Sequence, residues 1–140
     1  DSEVFPWSLV TVGGVPLEEF CRQWDICTDE HVKKDIEGRV RGAAYSIIEG
    51  KGSTSFGLGS AMTRIVEVIL RDQRALLTVC TPVPDVAGVK NVTVSLPHLL
   101  GGQGILDTIL LPLSLSTSEE NALRHSAQVV RAAYENLPAT

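Results

Sequence analysis

Residues 50 to 59, which read Gly-Lys-Gly-Ser-Thr-Ser-Phe-Gly-Leu-Gly, separate two stretches of helical periodicity and give the first half of the chain a helix, turn, helix course. From Thr28 to Ile48 the apolar residues Val32, Ile36, Val40, Ala43, Ala44, Ile47 and Ile48 recur at three- and four-residue steps, the period of a one-sided helix. Thr28 is placed to cap its first turn, Asp29 and Glu30 suit the positive end of its dipole, and Gly50 is the expected left-handed stop. A second helix is predicted over Ser60 to Asp72, with Met62, Ile65, Val66, Ile69 and Leu70 on one stripe and Arg64, Glu67 and Arg71 on another. Glu67 and Arg71 make a favourable i,i+4 pair. Gly38 and Gly42 each cost the first helix about 1 kcal/mol relative to alanine, so a packed helix or neighbouring subunit is expected against their bare face.

Beyond the helices the pattern changes to short extended runs. Ala75 to Thr81 and Asn91 to Pro97 read as strands, the latter alternating Val92, Val94 and Leu96 with Thr93 and Ser95. Pro82, Pro84, Asp85 and Gly88 are read as the connection between them. After Gly101-Gly102, Gly104 to Leu111 reads as a third strand ended by Pro112. Three successive strands with no helix between them predict an antiparallel sheet. A C-terminal helix is predicted from Ser116 to about Pro138, where Ser116 with Glu119, or Thr117 with Glu120, satisfies a capping box. Leu123, Val129, Val130, Ala133 and Leu137 are expected to face inward. Before the first long helix, Leu9 to Val12 reads as a strand, Gly13-Gly14 as a turn and Pro16 to Gln23 as a short helix opened by proline. The fold class is therefore α+β, an antiparallel twisted sheet packed with long helices.

A chain of 140 residues with 44% hydrophobic and 21% charged residues is expected to form one core-bearing domain. Its net charge of −5 would repel a phosphate backbone, and no basic cluster interleaved with aromatics offsets that field, so nucleic acid is not an expected partner. No apolar run approaches the roughly 20 residues that span a bilayer, and the first residues lack a signal pattern, so no membrane segment and a cytoplasmic location are expected. Cys21, Cys27 and Cys80 match neither a zinc site nor a redox pair and read as buried, reduced thiols.

Gly57-Leu58-Gly59 could open a dinucleotide fingerprint, but the third glycine position holds Met62 and no strand precedes it. Gly50-Lys51-Gly52-Ser53 fails as a phosphate loop, because glycine stands where a magnesium-binding hydroxyl belongs. His31, His98 and His125 are far apart without an i,i+4 partner, so they read as surface histidines and no metal site is expected. Composition and spacing alone supply no nucleophile, base and oxyanion donor together.

A resemblance supplies what spacing does not. The opening Asp1-Ser2-Glu3-Val4 with Trp7-Ser8, then Val12-Gly13-Gly14-Val15-Pro16-Leu17, Arg41-Gly42-Ala43-Ala44-Tyr45, Ile65-Val66-Glu67, Ile69-Leu70-Arg71-Asp72 and Val94-Ser95-Leu96-Pro97 resemble, in order and spacing, the C-terminal domain of lactate and malate dehydrogenases. Arg41 to Ile48 and Arg74 to Val79 are more similar to lactate than to malate dehydrogenases, which makes L-lactate dehydrogenase the leading family. The resemblance implies an NAD-dependent 2-hydroxy acid oxidoreductase acting on pyruvate and L-lactate. It implies that the cofactor sits mainly on an N-terminal Rossmann domain of the same polypeptide. The catalytic histidine, the carboxylate-clamping arginine and the aspartate that orients the histidine would all precede Asp1.

Three positions carry over. Thr54 matches a threonine that borders the substrate and contacts its carboxylate; a helix cap for the following segment is the alternative for the same side chain. Leu58 matches an aliphatic position near the nicotinamide ring, with simple core packing as its alternative. Tyr45 matches a tyrosine that is a modification site in some relatives, but its neighbours Ala43, Ala44, Ile47 and Ile48 favour core packing. Arg39, Arg41, Arg64 and Arg71 are expected in solvated pairs or subunit contacts. The resemblance further implies a homo-oligomer, a tetramer in the intact enzyme, with the Gly38–Gly42 helix as a contact. Two other readings stand beside it: a malate or other 2-hydroxy acid dehydrogenase domain, and a stand-alone, non-catalytic oligomerisation module. The chain by itself is expected to be inactive.

Overall fold

The computed structural model describes residues 2–25, 29–108 and 115–137. They group into two compact units, one holding Phe5–Thr63 and the other Ser2–Val4 with Arg64–Thr140.

In the first unit a 3₁₀ turn at Trp7–Leu9 leads into a two-stranded hairpin, β1 Thr11–Val12 and β2 Val15–Pro16, with Thr11 opposite Pro16. Gly13 (φ 60°) and Gly14 (φ 86°) form its turn, as the Gly-Gly pair predicts, because two successive positive φ values match the twist of a tight hairpin. Helix α1, Leu17–Trp24, starts after Pro16 and carries Glu18 and Glu19 in its first turn.

Helix α2 spans Glu30–Lys51. Its cap is Asp29, whose carboxylate accepts from the Val32 N–H at 2.9 Å; Thr28, the expected cap, lies outside the described residues. The helix runs through Gly50 and stops at Gly52 (φ 78°), whose N–H closes onto the Ile48 carbonyl at 2.7 Å. Helix α3 then begins at Ser55 and ends at Leu70. Both expected boundaries were therefore too conservative, and the glycine-rich stretch is mostly helical. Only residues 52 to 54 separate the two helices, and the helix penalty of about 1 kcal/mol for each of Gly57 and Gly59 is smaller than the loss of a full hydrogen-bonded turn.

In the second unit β3 Ala75–Val86, β4 Val89–Gly101 and β5 Gly104–Thr108 form an antiparallel sheet in the order β3-β4-β5. This is the predicted meander, with longer strands. Pro82 and Pro84 lie inside β3 and not in a loop. Two residues apart, they turn their nitrogens to the same side of an edge strand, where no ladder donor is required. Ala87 (φ 50°) and Gly88 (φ 85°) make the β3–β4 turn between paired Val86 and Val89. The third strand is described only to Thr108, so the predicted continuation to Leu111 lies outside the described residues.

The predicted alternation on β4 is observed: Val92, Val94 and Leu96 are buried and Thr93 and Ser95 are exposed. With Val83, Val86 and Ala127 they form the core, joined by Leu123 and Val130. Helix α4, Thr117–Glu135, lies on β4 and opens with the Ser116–Glu119 capping box, one of the two that the sequence allows. Its buried stripe is Leu123, Ala127 and Val130, while Val129, Ala133 and Leu137 are exposed. Ala127 was missed because its small side chain carries little hydrophobic signal, yet steps of four and three residues hold it in line with Leu123 and Val130. Two arginines of α4 reach the hairpin: Arg124 Nε donates to the Ala87 carbonyl at 2.8 Å and Arg131 Nη1 to that of Asn91 at 2.9 Å. At the other end of the chain, Ser126 Oγ bonds Ser2 Oγ at 3.2 Å.

A candidate substrate-side surface at the α2–α3 turn

Thr54 is the last residue before α3. The bond that starts the helix runs from the Leu58 N–H to the Thr54 carbonyl (3.3 Å), so it does not draw on the threonine hydroxyl. Thr54 thus takes the position that its helix-cap alternative requires, through its backbone. Beside it, Ser55 Oγ donates to Ser53 Oγ at 3.1 Å. The first turn of α3 contains no acidic residue. Its outward-pointing N–H groups and dipole therefore favour an anionic group near the half-buried Thr54.

Leu58 stands one turn further along α3 and is 62% exposed. Core packing, its alternative role, is not what it does in this chain. Cβ atoms built on Gly57 and Gly59 would meet nothing within 4 Å, so the helix surface on either side of Leu58 is open. A hydroxyl at the positive end of a helix with an open aliphatic surface one turn away can hold a small carboxylate and shield an apolar ring face. The element directly before α3 is helix α2 and not a strand, and Gly57 and Gly59 lie inside α3 itself.

Tyr45 is 70% exposed on α2, against the expectation of core packing. It shares that exposure with the apolar residues of the same helix, none of which is buried. His98 corrects another expectation: it is fully buried, because on β4 it continues the inward row of Val92, Val94 and Leu96. His31 and His125 are exposed, and no cluster of three or more metal-ligating side chains occurs among the described residues. Cys80 is exposed on β3 and Cys21 half-buried, so the expected burial of the thiols fails for Cys80; Cys27 lies outside the described residues.

The helix arginines pair as expected. Arg39 meets Asp35 (3.8 Å), Arg64 meets Glu67 (3.3 Å) and Arg71 meets Glu67 (2.9 Å). The sequence reading overlooked a cluster around Glu37. The Trp7 indole N–H donates to Glu37 Oε1 at 2.7 Å, and Arg41 Nη1 donates to Glu37 Oε2 at 3.4 Å. The Arg41 guanidinium also lies 4.8 Å from the centre of the Phe5 ring. The i,i+4 spacing of Glu37 and Arg41 was a readable signal; their union with Phe5 and Trp7 was not.

The helices and antiparallel sheets together define an α+β fold, and the glycines of the α2–α3 region lie in a helix, not in a strand-to-helix loop. Over residues 1–139 the sequence matches the profile of the lactate/malate dehydrogenase, alpha/beta C-terminal domain, and the chain belongs to that family. It is 50% identical over 137 residues to an L-lactate dehydrogenase of Geotalea daltonii, covering 98% of this chain and 43% of that protein. An L-lactate dehydrogenase of Deinococcus radiodurans is 43% identical over 131 residues, covering 94% of this chain and 41% of the relative. The fold superposes with a TM-score of 0.88 on the minor L-lactate dehydrogenase of Enterococcus mundtii in its ligands-bound form. That match is at 29% identity and covers all of this chain and 44% of that one. The chain thus spans less than half the length of the relatives it matches.

Proposed function

We propose that this chain is the substrate-side domain of an L-lactate dehydrogenase that interconverts pyruvate and L-lactate by NAD-dependent hydride transfer. The observation that carries the reading is a likeness to an L-lactate dehydrogenase at 50% identity that runs through 98% of the chain, the Thr54 turn included. The local chemistry agrees with it. Thr54 at the N-terminus of α3 contacts the substrate carboxylate and narrows the pocket around a small methyl ketone. Leu58 offers its exposed aliphatic surface to the nicotinamide side and keeps water from the reacting face. Bound NADH would supply the hydride to pyruvate, and NAD+ would take it back from lactate; the nucleotide part would be held by an N-terminal Rossmann domain of the same polypeptide. A protonated histidine upstream of Asp1 would give the alkoxide its proton.

By the same reading the intact protein is a cytoplasmic homo-oligomer, and this chain alone does not turn over substrate. No helix among the described residues is long and apolar enough to cross a membrane. The deciding experiment compares kcat/KM for pyruvate and oxaloacetate in the intact protein. A preference for pyruvate supports lactate dehydrogenase, a preference for oxaloacetate moves the assignment to malate, and no turnover of either by the intact protein refutes the reading.

A further inference from the structure

We propose that Glu37 is a positioning residue: it clamps residues 5 to 7 onto helix α2 and so fixes the chain that enters the domain against the helix that delivers Thr54. The proposal rests on the dehydrogenase reading for its kinetic consequence, but not for the clamp itself. One carboxylate takes two donors from different parts of the chain, the Trp7 indole at 2.7 Å through Oε1 and Arg41 at 3.4 Å through Oε2. Arg41 in turn covers the Phe5 ring at 4.8 Å. Both ends of the segment are therefore held by two linked side chains on α2, Trp7 by Glu37 directly and Phe5 by the Arg41 that Glu37 pairs with. The Glu37 side chain is 24% exposed, so the bonds are only partly screened by water, and an indole N–H left without an acceptor there would be costly.

The geometry carries more than packing. Phe5 to Trp7 have only a single 3₁₀ turn between them and the β1–β2 hairpin, and that turn has no side-chain cap at Pro6. Such a segment has little intrinsic rigidity, and its direction is set by what holds it. Helix α2 is a rigid lever of 22 residues that ends at Gly52, two residues before Thr54. A clamp on its side thus couples the orientation of the incoming chain to the substrate-side turn. Misplacement of reacting groups by about 1 Å can cost up to about a hundredfold in rate.

The test uses the full-length protein with Glu37→Leu, Glu37→Gln, Trp7→Phe and the Glu37→Leu/Trp7→Phe double variant. Two readouts are taken: amide hydrogen exchange of residues 5 to 10, and kcat and KM for pyruvate. Glu37→Leu is expected to speed exchange of that segment about tenfold, with α4 unchanged, and to lower kcat about tenfold with KM within about twofold. Glu37→Gln keeps an oxygen for the indole and is expected to stay within about threefold of wild type in both. Trp7→Phe removes the indole bond alone and should move both readouts in the direction of Glu37→Leu without exceeding it, and the double variant should be no worse than Glu37→Leu; an additive double variant overturns the shared bond. Exchange in the segment that is unchanged by Glu37→Leu overturns the clamp, whatever the enzyme's substrate. Faster exchange with unaltered kcat overturns the positioning role, and a glutamine variant as damaged as leucine overturns the assignment to the indole bond. A wild-type protein that does not act on pyruvate refutes the functional reading instead, while the exchange result still decides the clamp.

Discussion

Asp72 and Gly102, thirty residues apart in the chain, are joined by a 2.7 Å hydrogen bond in which the Gly102 N–H donates to the Asp72 carboxylate. The bond folds the β4–β5 turn over the end of α3. It leaves no room beside it: a Cβ on the buried Gly101 would stand 2.6 Å from Asp72 Oδ1 and 2.6 Å from Leu106 Cδ1.

Gly101→Ala is therefore expected to destabilise the protein by about 1–3 kcal/mol, the usual range for overpacking. Asp72→Ala should cost about 1–3 kcal/mol by removing an acceptor that carries charge. Because the same oxygen is both acceptor and obstacle, the double variant should cost less than the sum of the two. Urea unfolding of the four proteins checks this, and additive costs would reject the relationship.

Ala87 occupies the first position of the β3–β4 turn at φ 50°, a conformation that a side chain with a Cβ resists. Asparagine tolerates it and is favoured at that position of a type I′ hairpin. Ala87→Asn is expected to raise stability by about 0.5–1 kcal/mol, read as an increase in the thermal midpoint. A lower midpoint would show that the Arg124 bond to the Ala87 carbonyl, and not the turn residue, sets the local conformation.

Substitutions at Thr54 separate its proposed role from a purely structural one. Thr54→Val keeps the shape and removes the hydroxyl, and should lower kcat/KM for pyruvate in the intact protein about tenfold or more. Thr54→Ser keeps the hydroxyl and should retain most of the activity. Equal activity for all three proteins would leave Thr54 as the backbone start of α3 and nothing else.

Helix α2 exposes Val40 (55%) and Ile47 (44%), and Gly38 and Gly42 would admit a close neighbour because, beyond the helix's own backbone and the adjoining residues, nothing lies within 4 Å of a Cβ placed on either. An apolar surface of this kind drives association. The isolated chain is expected to sediment as a concentration-dependent mixture, and Val40→Glu with Ile47→Glu should shift it to monomer. A monomer at high concentration before any substitution would contradict the proposed oligomer.

Much of the fold was legible because its signals are local. The Ser116–Glu119 box, the Gly13-Gly14 turn and the inward row of β4 depend on spacing within a few residues, and each is observed. The errors fall where a local rule met a non-local need. Pro82 and Pro84 read as a loop, yet an edge strand accepts them, and only pairing to β4 makes β3 an edge. Gly57 and Gly59 read as a turn, yet only three residues separate α2 from α3 and both glycines are helical. Thr54 and Leu58 were proposed from the sequence through resemblance; the Glu37 cluster escaped because Trp7, its aromatic partner, lies thirty residues away.

The number and type of the long elements follow from neighbouring residues, since helical and strand periods need no partner to be read. The sequence could not determine which apolar residues end up buried. Val92 and Val40 carry the same side chain with opposite fates, 3% and 55% exposed, because one packs in a cluster with Ala127 of α4 and the other stands on a helix that has no buried residue. Burial is a property of two surfaces brought together, and only the tertiary structure decided which surfaces met.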